Sequence, residues 1–259
     1  MKKSPSLLQL SLLLAALLCT AFAASSSAAT ITWQSGNITT DTNVFNTGTT
    51  VAAWNFGATN NSTTTVNGVT FTGWSPTGNA GSVTNGNTVL SQVLVGGGAA
   101  SNTWTSFNSS GAAAPFNALS ASYQNLLGTA TYDAGLANNS TLRLTFNSLT
   151  IGQAYTFQFW MNDSRAGSSS IYPQTLNGLG GTGGPTLRGK TSGSALGTLG
   201  QFATGNFTAD ANSQTFFWTN ADFAYVNAVQ LVSVVPEPAT WALLAFSLTT
   251  VMVLRRRRS

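Results

Sequence analysis

Between residues 30 and 234 apolar and polar positions alternate in short runs, separated by clusters of Gly, Asn, Ser and Thr. A period of two sends successive side chains to opposite faces of an extended chain, so each run reads as a half-buried β-strand. Runs of this kind cover 30–33, 51–56, 63–66, 69–71, 141–146, 154–161, 201–208, 214–219 and 223–234. In 141–146, Leu142, Leu144 and Phe146 share a face. In 154–161, Tyr155, Phe157 and Phe159 face one way and Gln158 and Trp160 the other. In the last run Tyr225, Val229 and Leu231 oppose Val226, Ala228 and Val232. Asn67-Gly68 separates two of the runs and is the dipeptide of a two-residue type I′ hairpin. Only 118–127 suits a short helix. The glycine-rich patch 178–184 predicts a surface loop, because no Gly-Lys-Ser/Thr follows to make a phosphate loop. The pattern predicts an all-β body over 30–234, an antiparallel, jelly-roll-like β-sandwich.

The two ends break this pattern. Lys2 and Lys3 precede a leucine-rich run over 7–18, and Ala21-Phe22-Ala23 follows with small residues at the first and third positions. That layout predicts a secretory signal peptide over 1–23, cut between Ala23 and Ala24, with the Sec translocon and signal peptidase as partners. Cys19 is the sole cysteine and would leave with it, so no disulfide is expected in the body. Residues 24–29 read as a linker.

At the other end Val235-Pro236-Glu237-Pro238-Ala239-Thr240 precedes an apolar run over 241–254, then Arg255, Arg256, Arg257 and Arg258. Fourteen residues make about 21 Å of helix. That falls short of the usual transmembrane length, and bilayer thinning with snorkelling arginines accommodates the difference. The arginines would stay cytoplasmic, with the body across the membrane. Two prolines hold the stretch before the helix extended and open to a processing enzyme. Glu237 is the only glutamate in the chain. This arrangement over 235–259 resembles the PEP-CTERM sorting signal of Gram-negative bacteria. The resemblance implies that exosortase reads the motif, with removal of the signal near it. The body would cross the inner membrane, be anchored there transiently, and end at the cell surface or in an extracellular matrix.

Composition narrows the chemistry of the body. The chain has 259 residues, 42% hydrophobic and 6% charged, with a formal net charge of +4. Six of the ten cations lie in the terminal segments. Between residues 24 and 235 stand Arg143, Arg165, Arg188 and Lys190 against five aspartates, a net charge of −1. A nucleic-acid ligand needs a basic stripe, and the body has none. The chain has no histidine, and the body has neither cysteine nor glutamate. Ser-His-Asp and Cys-His triads are excluded, as are zinc and copper sites built on imidazole or thiolate. A two-carboxylate glycosidase would have to use aspartates alone.

What remains suits sugar contact. Trp160, Asn162, Asp163 and Arg165 lie together at the end of an aromatic strand. There the indole could stack on a sugar ring and the polar groups bond its hydroxyls. The plainer expectation is that Asp163 caps a turn or pairs with Arg165. No cofactor is expected beyond a structural calcium ion, for which Asp163 or Asp210-Ala211-Asn212 could supply oxygens. Trp33, Trp54 and Trp218 are expected in the core, and Trp74 and Trp104, near turns, at the surface. The sequence therefore predicts a secreted, non-enzymatic surface or matrix protein, with exopolysaccharide as its expected partner. The alternatives are a structural matrix subunit without a ligand site, or a polysaccharide-active enzyme using Tyr132-Asp133 or Asp163/Arg165.

Overall fold

A computed structural model describes residues 29–76, 81–93, 101–104, 113–133, 140–167, 173–178, 183–191, 193, 195–220 and 224–234. The predicted signal peptide and the sorting segment over 235–259 lie outside the described residues. Among the described residues no helix is long and apolar enough to cross a membrane.

Two large sheets dominate. The seven-stranded sheet runs in the order β1 (Thr32–Asn37), β13 (Gln201–Thr208), β10 (Ala154–Met161), β16 (Ala228–Val234), β2 (Thr49–Phe56), β4 (Val69–Trp74) and β3 (Thr63–Val66). The six-stranded sheet runs β12 (Gly183–Leu187), β11 (Gln174–Gly178), β14 (Ser213–Asn220), β9 (Ser140–Asn147), β6 (Thr88–Val93) and β5 (Ser82–Asn85). A small sheet of β15 (Tyr225–Val226), β8 (Ala130–Asp133) and β7 (Ser101–Trp104) touches β10, β2 and β9, bridging the two main sheets. The pairings are antiparallel except β2 with β4. β3 and β4 form the expected hairpin: Val66 pairs with Val69, and Asn67 and Gly68 both have positive φ, 47° and 80°.

The faces follow the alternation. Leu142, Leu144 and Phe146 of β9 and Phe216 and Trp218 of β14 meet Phe157 and Phe159 of β10 and Val229 and Leu231 of β16 in one core. At its centre Phe157 and Phe216 stack across the sheets, 3.9 Å between centroids and 12° between planes. Trp33 packs its ring over Gly205, where a Cβ would lie 2.8 Å from the indole and 2.9 Å from Ile31. This close approach accounts for a glycine in the middle of β13.

The seven-stranded sheet is also covered on its outer side. A second apolar cluster there joins Trp160, Phe71 and Ala228 to Ile38, Val44 and Phe116. It also takes in Tyr123, Leu126 and Leu127 of α1 (Ala121–Leu127). The helix is shorter than the 118–127 expected, because the Ser120 hydroxyl caps it by accepting from the Tyr123 amide at 3.1 Å. Burial on both faces explains why β10 reads as nearly continuous apolar sequence. Trp74 corrects an expectation: it is buried, 5.3 Å from Phe56 and 5.6 Å from Trp54 between ring centroids. Trp218 is fully buried as expected, and Trp33 and Trp54 are half-buried against the core. The Trp104 side chain lies outside the described residues. The glycine patch contains the end of β11 and the start of β12, and its middle, 179–182, lies outside the described residues.

Candidate functional site

The sequence places its sugar-contacting group at the end of β10, and the structure puts Trp160, Asn162 and Asp163 of it inside and leaves Arg165 partly exposed. Trp160 has no exposure, and its indole N–H donates to the Tyr123 hydroxyl at 3.0 Å. A ring enclosed on both faces offers no platform to a sugar, which corrects that assignment. Asn162 is equally buried: its Oδ1 accepts from the Gly200 amide at 2.9 Å and its Nδ2 donates to Ser164 Oγ at 3.3 Å. Arg165 grips Asp163 at both oxygens, Nε to Oδ1 at 2.9 Å and Nη2 to Oδ2 at 2.7 Å, and its own amide also reaches Oδ1 at 3.1 Å. The Asp163 side chain is 2% exposed. This is the turn-forming ion pair that was the plainer expectation.

Lys190 completes the cluster. It is buried, and its Nζ donates to the main-chain oxygens of Arg165 and Ala195. Burial holds the ammonium below its usual pKa, the Asp163 carboxylate works against that shift, and Arg165 adds to it. Asn227 ties the cluster to the rest of the fold, accepting from the Asn162 amide at 2.6 Å and donating to the Leu127 and Thr129 carbonyls. These groups lock three loops together. Asp163 and Asp210 follow opposite ends of the paired strands β10 and β13, so they cannot share one calcium ion. Among the described residues no three His, Cys, Asp or Glu side chains converge. The Asp133 side chain lies outside the described residues.

An open concavity lies on the outer side of the seven-stranded sheet, at the Ala154 end of β10. It is a groove of about 520 Å³. Its floor is a rung of the sheet in which Thr32, Asn206 and Thr156 stand side by side on β1, β13 and β10. Thr156 Oγ1 donates to Asn206 Oδ1 at 2.7 Å, leaving the Asn206 amide nitrogen as the donor it can offer. Thr30 and Thr208 add exposed hydroxyls at the rim.

One wall is Phe45, half-buried, and its position is held by two glutamines. Gln158 and Gln230 face each other on β10 and β16, both buried. Gln158 Oε1 accepts from the Phe45 amide at 3.0 Å and from Gln230 Nε2 at 2.9 Å. Gln230 Nε2 also donates to the Phe45 carbonyl at 2.8 Å, and Gln158 Nε2 to the Asn43 carbonyl at 2.5 Å. The segment carrying the aromatic wall is therefore fastened to the central strands before any ligand arrives. The lining has hydroxyls, one amide and aromatic and aliphatic carbon, with no carboxylate, lysine or arginine. Its one phenol, Tyr155, already accepts from the Thr150 amide at 3.0 Å. Such a lining can hydrogen-bond and exclude water, but it has no group with which to move a proton at neutral pH. A smaller hollow of about 250 Å³ opens between the sheets at the same end, beside Val51, Trp54 and Asn147.

No family model matches the chain, and no curated protein sequence matches it. Among solved structures it is similar to the ANX2 ectodomain from Arabidopsis thaliana at 10% identity and a TM-score of 0.39, over 73% of this chain and 50% of that one. The ANXUR1 extracellular domain from Arabidopsis thaliana gives 10% and 0.38, over 72% and 49%. An exo-beta-1,3-galactanase from Phanerochaete chrysosporium gives 14% and 0.24, over 40% and 23%. The chain spans about half the length of the two extracellular domains. No function is carried across at this level of similarity.

Proposed function

We propose that this chain is an exported, non-enzymatic surface or matrix protein whose jelly-roll-like body contacts a neutral polysaccharide through the Phe45 groove. The observation that carries the reading is the lining of that groove: hydroxyls and an amide on the floor, a pre-fastened aromatic at the wall, and no ionisable group poised for acid–base work. Hydroxyl and amide partners match the donors and acceptors of a sugar chain, and the rigid wall limits the ordering cost of binding. Export rests on the signal-peptide layout of 1–23, and sorting on Pro236-Glu237-Pro238, the apolar run and the arginine tail. Sec, signal peptidase and exosortase act in turn, and the chain ends outside the inner membrane.

The handling is tested by intact mass and cell fractionation of the native protein, against a variant with Pro236, Glu237 and Pro238 all replaced by alanine. The wild type should lack both terminal segments and lie outside the cell, while the variant stays in the membrane. Retention of the C-terminal segment in both would make the protein a membrane-tethered domain and end the sorting part of the proposal.

A further inference from the structure

The outer face of the six-stranded sheet carries a different surface. Alternation turns Leu142, Leu144, Phe216 and Trp218 inward, so their neighbours point out. The register aligns those neighbours in rungs. One rung holds Ser82, Ser91, Arg143, Phe217 and Asn177. On one side lies a rung with Thr145 and Thr215, whose hydroxyls meet at 2.8 Å. On the other lies a rung with Thr141, Thr219, Thr175 and Thr186, the last two 3.1 Å apart. Strand geometry spaces such positions about 4.8 Å apart across the sheet and about 6.8 Å along it. Among the described residues the helix and the second apolar cluster cover the other sheet, and this face is half-exposed.

Arg143 stands in the middle of the hydroxyl field. Its guanidinium carbon lies 5.9 Å from the centroid of the Phe217 ring, and both side chains are half-buried. Among the described residues the one ion pair is Arg165 with Asp163, so Arg143 has no carboxylate partner there. Its Nε is buried and has no hydrogen-bond partner among the described residues. No carboxylate lies on the three rungs. A guanidinium held against an aromatic ring keeps its donor fork directed and matches a carboxylate with two parallel bonds. A single cation does not suit a polyphosphate, which needs a row of them. The face is also too rich in hydroxyls and too poor in large apolar anchors for a protein hot spot.

We infer that this face is a second binding surface, distinct from the groove, and that it takes an acidic polysaccharide. Arg143 pairs with a sugar carboxylate, Phe217 supports the guanidinium, and the flanking threonines and Asn177 bond the neighbouring hydroxyls. The inference stands apart from the groove reading, because the two surfaces lie on different sheets and select opposite ligand charge.

The test is electrophoresis of the full-length protein through gels containing polygalacturonate or its fully methyl-esterified form. The two polymers share a backbone and differ in the carboxylate. The wild type should be retarded more strongly by the acid than by the ester. Arg143→Gln should weaken retention at least tenfold, Arg143→Lys should recover part of it, and Phe45→Ala should leave it unchanged. A circular-dichroism melt of each variant separates lost binding from lost folding. Equal retention by acid and ester, no retention by either, or undiminished retention in folded Arg143→Gln would overturn the inference. Loss of neutral-polymer binding in Phe45→Ala alone would bear on the groove and leave this face untouched.

Discussion

Asp163 shows how a single residue changes role between sequence and fold. In the sequence it stands beside an exposed-looking tryptophan, and both read as sugar contacts. In the structure the β10 chain carries Trp160 under α1, and Asp163 neutralises Arg165 beside the buried Lys190. The ion pair could be read from the two-residue spacing, but the burial could not, because the cover comes from residues more than 30 positions upstream. Lys190 gives the cluster a measurable pH signature. Burial lowers its pKa from 10.5, so between the lowered value and 10.5 the unfolded chain holds more protons than the folded one. Stability therefore rises with pH through that interval. Burial raises the Tyr123 and Tyr225 phenols above their usual 10.0, so at higher pH the unfolded chain loses those protons first and stability falls. Thermal melts of the wild type should climb toward about pH 10 and then turn down. Lys190→Met should abolish the climb while keeping the fall; a persistent climb would remove Lys190 as its source.

At the scale of elements, the strongly alternating strands were legible and the short polar ones were not. β10 and β13 run over 154–161 and 201–208, as their periodicity predicts. β5 (Ser82–Asn85) and β7 (Ser101–Trp104) carry one apolar residue each, and β12 contains two glycines and a proline, so no periodic signal marks them. Phe45 was missed for another reason. It lies outside every strand, and its place is set by Gln158 and Gln230, which lie far from it in sequence. The available signal was a glutamine in each of the two most apolar strands, where a polar side chain has to find a buried partner. Gln158→Leu tests this clamp. It leaves the Phe45 amide and the Asn43 carbonyl without their bonds, at a cost of about 1–3 kcal/mol for each group that stays buried. Chemical denaturation should show that loss. Retention on a neutral polysaccharide should fall with it, as the Phe45 wall comes loose from the sheet. Unchanged stability and retention would show that the segment holds its place without the glutamine.

Across the whole molecule the polar chemistry divides by place. The charged cluster of Asp163, Arg165 and Lys190 sits beyond the Met161 end of β10. Thr30 and Val234, at the two limits of the described body, line the groove at the Ala154 end. Among the described residues the two large apolar side chains most exposed to solvent belong to this end as well: Val51, 49% exposed, near the start of β2, and Ile151, 66% exposed, in the loop leading into β10. The outer face of the six-stranded sheet, with Arg143 at its centre, lies apart from both. The groove is proposed to hold a neutral polysaccharide by hydroxyl and amide contacts against Phe45. The most direct test is electrophoretic retardation of the full-length wild type and Phe45→Ala in gels containing dextran, hydroxyethylcellulose or galactomannan. At least one polymer should retard the wild type, and Phe45→Ala should weaken that retention severalfold, with the melting temperature preserved. Wild-type mobility unaffected by every polymer, or equal retention of the two proteins, would contradict the proposal.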